Sequence, residues 1–312
     1  MRALAVRRVG EAPAIHRLRI PAVAGAFWIN VTYAGVNPID YKRVDQLTDA
    51  STFPFVVGID FAGVLDHVPA GEEELELGDR VFGTARTHGS YAEHTAVVPG
   101  ALAEPVARIP HGVTDAQAAA LPIPATTALG SLELLGLTAG QRIVVLGAAG
   151  AVGGYAVQMA RSRGAHVIGT VRASVDEAFR LGAEKVYDAR AVDVVDAVRA
   201  AHPEGVDAVL DLVNGRNAIR RDADMLKAGG SLVSTLYAAD AQWFAARKIV
   251  AHNIASISNP LSSRRGLNEV AAMLAAGTIT ARIGSTVELE RTPQMFELRR
   301  NGGLHGKAVV RV

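Results

Sequence analysis

Cysteine is absent from this 312-residue chain. That removes disulfides, thiolate nucleophiles and every cysteine-based zinc site. The nine histidines do not make up the loss: they are scattered from His16 to His305, and none forms an HxH, HxxxH or HExxH pair on one element. No metal site is therefore expected. No run of about 18 uninterrupted apolar residues occurs, so no membrane span is expected. The opening MRALAVRRVGEAP reads as a short strand and a turn, without the apolar core of a signal peptide. An excess of one charge is lacking too. Lys and Arg number 32 against 31 Asp and Glu, a formal net charge of +1 with no basic stripe. Nucleic acid is thus not an expected partner, and the expected compartment is cytoplasmic. What remains is an ordinary globular balance, 49% hydrophobic and 20% charged, in a length that suits about two domains.

Residues 1 to about 110 read as short, turn-punctuated strands, with candidates at 4–7, 27–33, 63–67, 79–82 and 92–98. No long segment of helical period interrupts them, so a β-rich or barrel-like unit is expected. The acidic stretch GEEELELG (71–78) reads as a solvated hairpin tip rather than a partner patch. From Thr114 the pattern changes to a capped helix through Leu121, a break at Pro122 and Pro124, and a second helix at 126–135. Beyond residue 142, strands at 143–146, 166–170, 184–187, 207–211, 230–235 and 254–257 alternate with helices at 153–163, 174–181, 191–201, 216–226 and 240–248. Six strands joined by helical crossovers spell an α/β fold with a doubly wound parallel sheet. Gly205 and the pair Gly229-Gly230 read as breaks at helix ends. The tail departs from this rhythm, with helices at 264–276 and 292–300 and strands at 286–289 and 307–312. The last strand is placed to return to the first domain.

The most informative stretch is residues 142–172, RIVVLGAAGAVGGYAVQMARSRGAHVIGTVR. An apolar strand breaks into a small-residue turn, the turn opens into a helix, and a second strand follows. Gly147, Gly150 and Gly153 stand at GxxGxxG spacing. A tight turn needs positions without Cβ, and a diphosphate must come close to bare N–H groups. The helix that starts there points its unpaired N–H groups and positive dipole end at the anion. A glycine-rich turn that binds nothing is the bland alternative, and the complete βαβ context argues against it. About twenty residues on, where Asp or Glu would accept from an adenosine ribose 2′-hydroxyl, the chain reads Thr170-Val171-Arg172-Ala173-Ser174. With no carboxylate at that strand end, Arg172 and Ser174 suit a 2′-phosphate, although Arg172 also reads as a solvated loop residue. NADPH is favoured over NADH.

Several stretches carry a resemblance: YAGVNPIDYK (33–42), VGIDFAG (57–63), GDRVFG (78–83), HGSYAE (88–93), AAALP (118–122) with Thr127-Ala128, the glycine turn, DAVLD (207–211), LKAGG (226–230) and Gly306-Lys307. In these the chain resembles the zinc-independent, ζ-crystallin-like quinone oxidoreductases of the medium-chain dehydrogenase/reductase superfamily. The resemblance implies a GroES-like β-rich catalytic domain (1–113 and 259–312) split around a Rossmann domain (114–258), with NADPH as cofactor, a quinone or enone as small-molecule substrate, and a homodimer. Zinc-dependent relatives carry a cysteine in the region of Asn37 and Gly-His-Glu where this chain has Gly58-Ile59-Asp60.

Carried over to matching positions, the resemblance implies Asn37, Asp40 and Lys42 near the nicotinamide and substrate. Asn37 is a neutral donor that could polarise a carbonyl, and Asp40 is as well suited to bracing the loop. Tyr41 and Lys42 are conceivable proton donors that could equally pack at the surface. For the cofactor it implies Thr127 near the nicotinamide ribose and the turn Gly147, Gly150, Ala151, Val152 and Gly153 at the diphosphate; Thr170, Arg172 and Ser174 complete the set from the strand end. Three departures stand out. Ala189 replaces a tyrosine common after the third strand, with Arg190 a possible substitute. Asn214 stands where glycine is usual, and PAVAGAFW thins a proline-rich run.

A chain without zinc ligands suits an acceptor that delocalises hydride charge onto its own oxygen, such as a quinone. Reduction of an enone, alkenal or enoyl-thioester C=C bond uses the same parts. A non-catalytic NADPH-binding sensor is the alternative from another class. The apolar strand expected at 254–257 is the candidate edge for dimer pairing.

Overall fold

In the computed structural model, residues 1–20, 22–100, 104–300 and 306–312 are described. The chain forms two compact units, one of residues 1–123, 261–277 and 281–312, the other of residues 124–260 and 278–280.

The first unit opens with β1 (Arg2–Val6), β2 (Ala14–Arg17), β3 (Phe27–Val36), α1 (Pro38–Asp45), β4 (Phe55–Val56), β5 (Asp60–His67), β6 (Arg80–Thr84), β7 (His94–Val97), β8 (Val106–Arg108) and α2 (Asp115–Ala119). Helix α3 (Pro122–Leu135) begins there and continues into the second unit. The second unit then adds β9 (Arg142–Leu146), α4 (Ala151–Ser162), β10 (His166–Val171), α5 (Val175–Arg180), β11 (Lys185–Asp188), α6 (Val194–Ala201), β12 (Val206–Asp211), α7 (Arg216–Asp222), β13 (Leu226–Ser234), α8 (Ala241–Ala245) and β14 (Val250–Asn253). The chain returns to the first unit with α9 (Arg264–Ala275), β15 (Ile283–Glu288), α10 (Thr292–Arg300) and β16 (Lys307–Arg311).

The first unit holds a three-stranded sheet, β2-β1-β4, and a seven-stranded one in the order β15-β16-β3-β5-β6-β8, with β7 also on β3. Strand β16 pairs antiparallel with β3, Val309 opposite Gly35, so the end of the chain does return to the first domain. One core gathers Leu4, Val36, Val57, Tyr91 and Val310, and a second gathers Phe27, Ile29, Phe61 and Val81. The second unit is one all-parallel sheet in the order β11-β10-β9-β12-β13-β14. Strand β9 is buried along its length after Arg142, as a central parallel strand covered on both faces must be. The connections run outward in opposite directions from β9, so a topological switch point lies between β9 and β12.

Several expectations are corrected. Two separate helices are found here as expected, but the second starts at Pro122 and not at 126: Pro122 and Pro124 occupy the first turn of α3, where a missing N–H costs nothing. Helix α1 arises where only strands were expected. Eight residues show no long period, yet Asn37 and Asp40 form a capping box and Pro38 sits at the first position. The sixth strand is Val250–Asn253, not 254–257. An edge strand has one neighbour and tolerates His252 and Asn253, whereas the more apolar Ile254 is buried just past its end. Gly229-Gly230 does not follow a helix: α7 ends at Asp222, and both glycines lie within β13, Gly229 at φ +82°. Helix α2 packs on β3, β5 and β6, so residues 114–123 group with the β-rich unit.

Candidate functional site

The glycine turn follows β9 at the carboxyl edge of the parallel sheet. Gly147 has φ +92°, a left-handed conformation that a side chain disfavours. The N–H groups of Gly147 and Ala148 both donate to the Thr170 carbonyl, at 3.1 and 2.9 Å, which clamps the turn to β10. Gly150 caps α4, and its N–H donates to the Gly147 carbonyl at 3.0 Å. The third glycine is required by packing: a Cβ on Gly153 would stand 2.2 Å from the Gly147 carbonyl oxygen. The N–H of Gly154 makes the first intrahelical bond, to Gly150. Helical geometry leaves the N–H groups of Ala151, Val152 and Gly153 without an i−4 acceptor in the helix. Three bare donors at a positive helix end, over a turn of glycines and alanines, fit a diphosphate.

Around the turn the strand ends differ in character. Arg172 is exposed after β10, and Ser174 is held at φ +63° as the cap of α5. After β11, Arg190 is spoken for: its Nε and Nη2 donate to Asp188 at 3.2 and 3.0 Å. Tyr187 turns away toward α6, donating to the Ala197 carbonyl. Thr127 lies buried on α3, its carbonyl accepting from the Ser131 hydroxyl.

Beyond β12, Asp211 accepts from the N–H groups of Val213 and Asn214, at 3.1 and 3.0 Å, and Asn214 Nδ2 donates to Asp222 at 3.0 Å. The asparagine in a usual glycine position therefore ties this loop to α7. Burial pushes the Asp222 carboxyl up to about 7, with the Asn214 bond opposing and the Asp211 charge adding. Burial raises Asp211 as well. The loop places Val213 against Gly147, and Val213, Leu236, Tyr237 and Ile257 are exposed apolar side chains past the ends of β12, β13 and β14.

Of the three side chains expected at the substrate, the structure joins two. Asn37 and Asp40 lie buried in the first unit with Asp60, Tyr91 and Lys307. The Lys307 ammonium donates to Asn37 Oδ1 at 2.6 Å and to Asp60 Oδ2 at 3.1 Å. Asn37 Nδ2 donates to Asp60 Oδ2 at 2.8 Å, and the Ile123 N–H donates to the other Asp60 oxygen at 3.2 Å. Asp40 Oδ2 accepts from the Asn37 N–H at 2.7 Å and the Tyr91 hydroxyl at 2.6 Å. Its Oδ1 is buried without a hydrogen-bond partner. Burial pushes the Asp40 carboxyl up to about 7, against the pull of Tyr91, Asn37 and Lys307. Burial also raises Asp60, against Lys307 and Asn37.

Lys42 is not part of this cluster. Two residues along a helix is about 200° of rotation, which leaves Lys42 exposed while Asp40 faces inward. Tyr41 packs on Phe296, ring centroids 5.9 Å apart. Sequence reasoning did not single out Asp60, Tyr91 and Lys307 as members of this cluster. The available signal was a lone charge inside an apolar run, Asp60 in VGIDFAG and Lys307 in GKAVV.

The residues present do not fit zinc. Amide and aliphatic side chains stand at Asn37 and Ile59, and among the described residues no three His, Cys, Asp or Glu group to hold a metal. Among the same residues, no helix is long and apolar enough to cross a membrane.

Comparison with known proteins bears on these features. Residues 24–116 match the alcohol dehydrogenase GroES-like domain family, and residues 181–310 match a zinc-binding dehydrogenase family. The quinone oxidoreductase of Pongo abelii is 31% identical over 210 residues, 66% of this chain and 62% of that protein. The chain thus spans just under two thirds of that relative. The Rattus norvegicus quinone oxidoreductase is 28% identical over 99% of this chain and 97% of its own length. A 2-methylene-furan-3-one reductase of Solanum lycopersicum is 34% identical over 66% of this chain and 53% of that protein. Among solved structures, the Coxiella burnetii quinone oxidoreductase superposes with a TM-score of 0.86 at 26% identity, covering 100% of this chain and 99% of that one. The Escherichia coli quinone oxidoreductase complexed with NADPH gives 0.86 at 22% identity, with the same coverage, and shares the fold.

Proposed function

This chain belongs to the medium-chain dehydrogenase/reductase superfamily, and from that premise we propose that it is an NADPH-dependent reductase of quinones or other conjugated carbonyls that works without zinc. The observation that carries the reading is the turn after β9, three bare N–H groups beside Gly147 at positive φ and Gly153, where a Cβ would strike the Gly147 carbonyl. NADPH, when bound, supplies the hydride.

The chain's own residues do the rest. Ala151, Val152 and Gly153 hold the diphosphate, with Gly147, Gly150 and the Thr170 carbonyl keeping the turn in shape. Arg172 and Ser174, past the end of β10 where no carboxylate stands, take the 2′-phosphate. Thr127 contributes at the nicotinamide ribose. Val213, Leu236, Tyr237 and Ile257 present an exposed apolar edge suited to covering a flat ring. Asp40 braces the cap of α1, Asn37 sits behind it in the buried cluster, and Lys42 or solvent supplies the proton.

Likeness to a 2-methylene-furan-3-one reductase favours a second reading in the same class, reduction of a conjugated C=C bond. Stopped-flow oxidation of NADPH against a panel of quinones and enones separates the two. Binding of NADPH with no oxidation by any acceptor overturns the enzymatic reading in favour of a sensor. No calorimetric heat from NADPH or NADH overturns both. A homodimer is proposed through β14, the edge of the parallel sheet with Val250 exposed. Sedimentation showing only monomer at micromolar concentration removes that proposal.

A further inference from the structure

We propose that Lys307 is a positioning residue for the reductase site, its buried ammonium aligning the N-termini of α1 and α3 through Asn37 and Asp60. The inference rests on the functional reading above. Lys307, with 1% of its side chain exposed, opens β16 and is followed by three buried apolar residues, Ala308 to Val310. Its route inward is prepared. Gly35, on the neighbouring strand β3, has no Cβ; one there would lie 2.3 Å from the Ala119 carbonyl oxygen, and also 3.0 Å from Asp60 Cβ and 3.1 Å from Lys307 Cε. The same small position that admits the α2 backbone thus also leaves both members of the ion pair in tight contact over Gly35.

The ammonium sets two orientations. Its bond to Asn37 Oδ1 turns the amide so that Nδ2 faces Asp60, and its bond to Asp60 Oδ2 turns the other carboxylate oxygen to the Ile123 N–H. Asn37 is the cap of α1, whose capping box holds Asp40; Ile123 is the second residue of α3, which carries Thr127 one turn later. One cation thus fixes the start of both helices. Stability alone does not account for it, because a well-packed apolar side chain in place of a buried ion pair is often as stable or more so. Position is what an apolar replacement would lose. The charged and titratable groups facing the pair are Asp40 on α1, Tyr91, and, acting on Asp40 and Asp60 from around the cluster, Arg43 and Arg86.

The test compares wild type, Lys307→Met and the double variant Lys307→Met with Asp60→Asn, reading thermal midpoint, KM for NADPH, kcat with the best acceptor and the pH profile. The single variant leaves Asp60 without its cation, so its midpoint falls; the double restores the midpoint by removing both charges. Expected is a kcat down about 100-fold in the single variant and still down at least about 10-fold in the double, each relative to wild type. KM for NADPH stays within about twofold, because the glycine turn is untouched. In the single variant Lys307 no longer pulls the Asp40 carboxyl down, so that carboxyl titrates higher, and the pH profile of kcat is expected to shift upward with the brace at α1. A double variant that recovers wild-type kcat overturns the proposal and leaves Lys307 a mere counter-ion to Asp60. So does a folded single variant with wild-type kcat and pH profile. If wild type itself oxidises NADPH with no acceptor, the functional reading fails and this inference with it, and that result is seen before any variant is made.

Discussion

The turn after β9 and the cluster around Lys307 solve opposite problems. At the turn, the polar groups belong to the backbone, side chains are excluded, and three N–H groups are left bare for a ligand. In the cluster, the polar groups belong to side chains drawn from β16, β5, α1 and the segment after Gly89, and nearly all are satisfied by one another. The first region keeps its shape through backbone hydrogen bonds and leaves its outward donors open. The second is closed, and its cost of desolvation is met by pairing. A binding site needs unmet hydrogen bonds, and a support needs met ones.

Substitutions should break the two regions in different ways. The largest effect is expected for Asp60→Ala, which leaves the buried Lys307 ammonium without its carboxylate; chemical denaturation should show a loss of about 3–5 kcal/mol. Next, Gly153→Val drives a side chain into the Gly147 carbonyl, and calorimetry should show NADPH affinity lower by about 100-fold or more, near 3 kcal/mol. Arg172→Ala should weaken NADPH about 10-fold and leave NADH unchanged, since only one of them carries the 2′-phosphate.

The Asp222→Asn variant sharpens the comparison by pH. The Asp222 carboxyl is raised from 3.8 to about 7, so its stabilising contribution is complete below about pH 4 and lost as the pH rises through 7. Between pH 5 and 8, thermal scans should show wild type losing on the order of 1 kcal/mol relative to the variant. The smallest effect is expected for Asn214→Gly, which removes one hydrogen bond to Asp222 and frees the loop backbone. A loss of about 1 kcal/mol in urea should accompany unchanged chemistry at the turn.

The two regions also differ in how far they could be read in advance. The turn was legible because its chemistry is local: strand, glycines and helix lie within thirty residues, and the spacing of Gly147, Gly150 and Gly153 already states where side chains are forbidden. Asn37 and Asp40 were legible only as members of a motif, and their burial was not. Lys307 lies 270 residues from Asn37 along the chain, and no local pattern links them. Helix α1 and strand β14 were misplaced for related reasons. A capping box of two residues carries less signal than a period, and an edge strand answers to one neighbour instead of two.

Periodicity and turn chemistry, both properties of neighbouring residues, determined by themselves the wound parallel sheet and the glycine bend within it. Only the tertiary structure decided that the last strand returns to pair with β3. That pairing carries a lysine into contact with Asn37 and Asp60, and buried electrostatics then turns three distant polar residues into a single support.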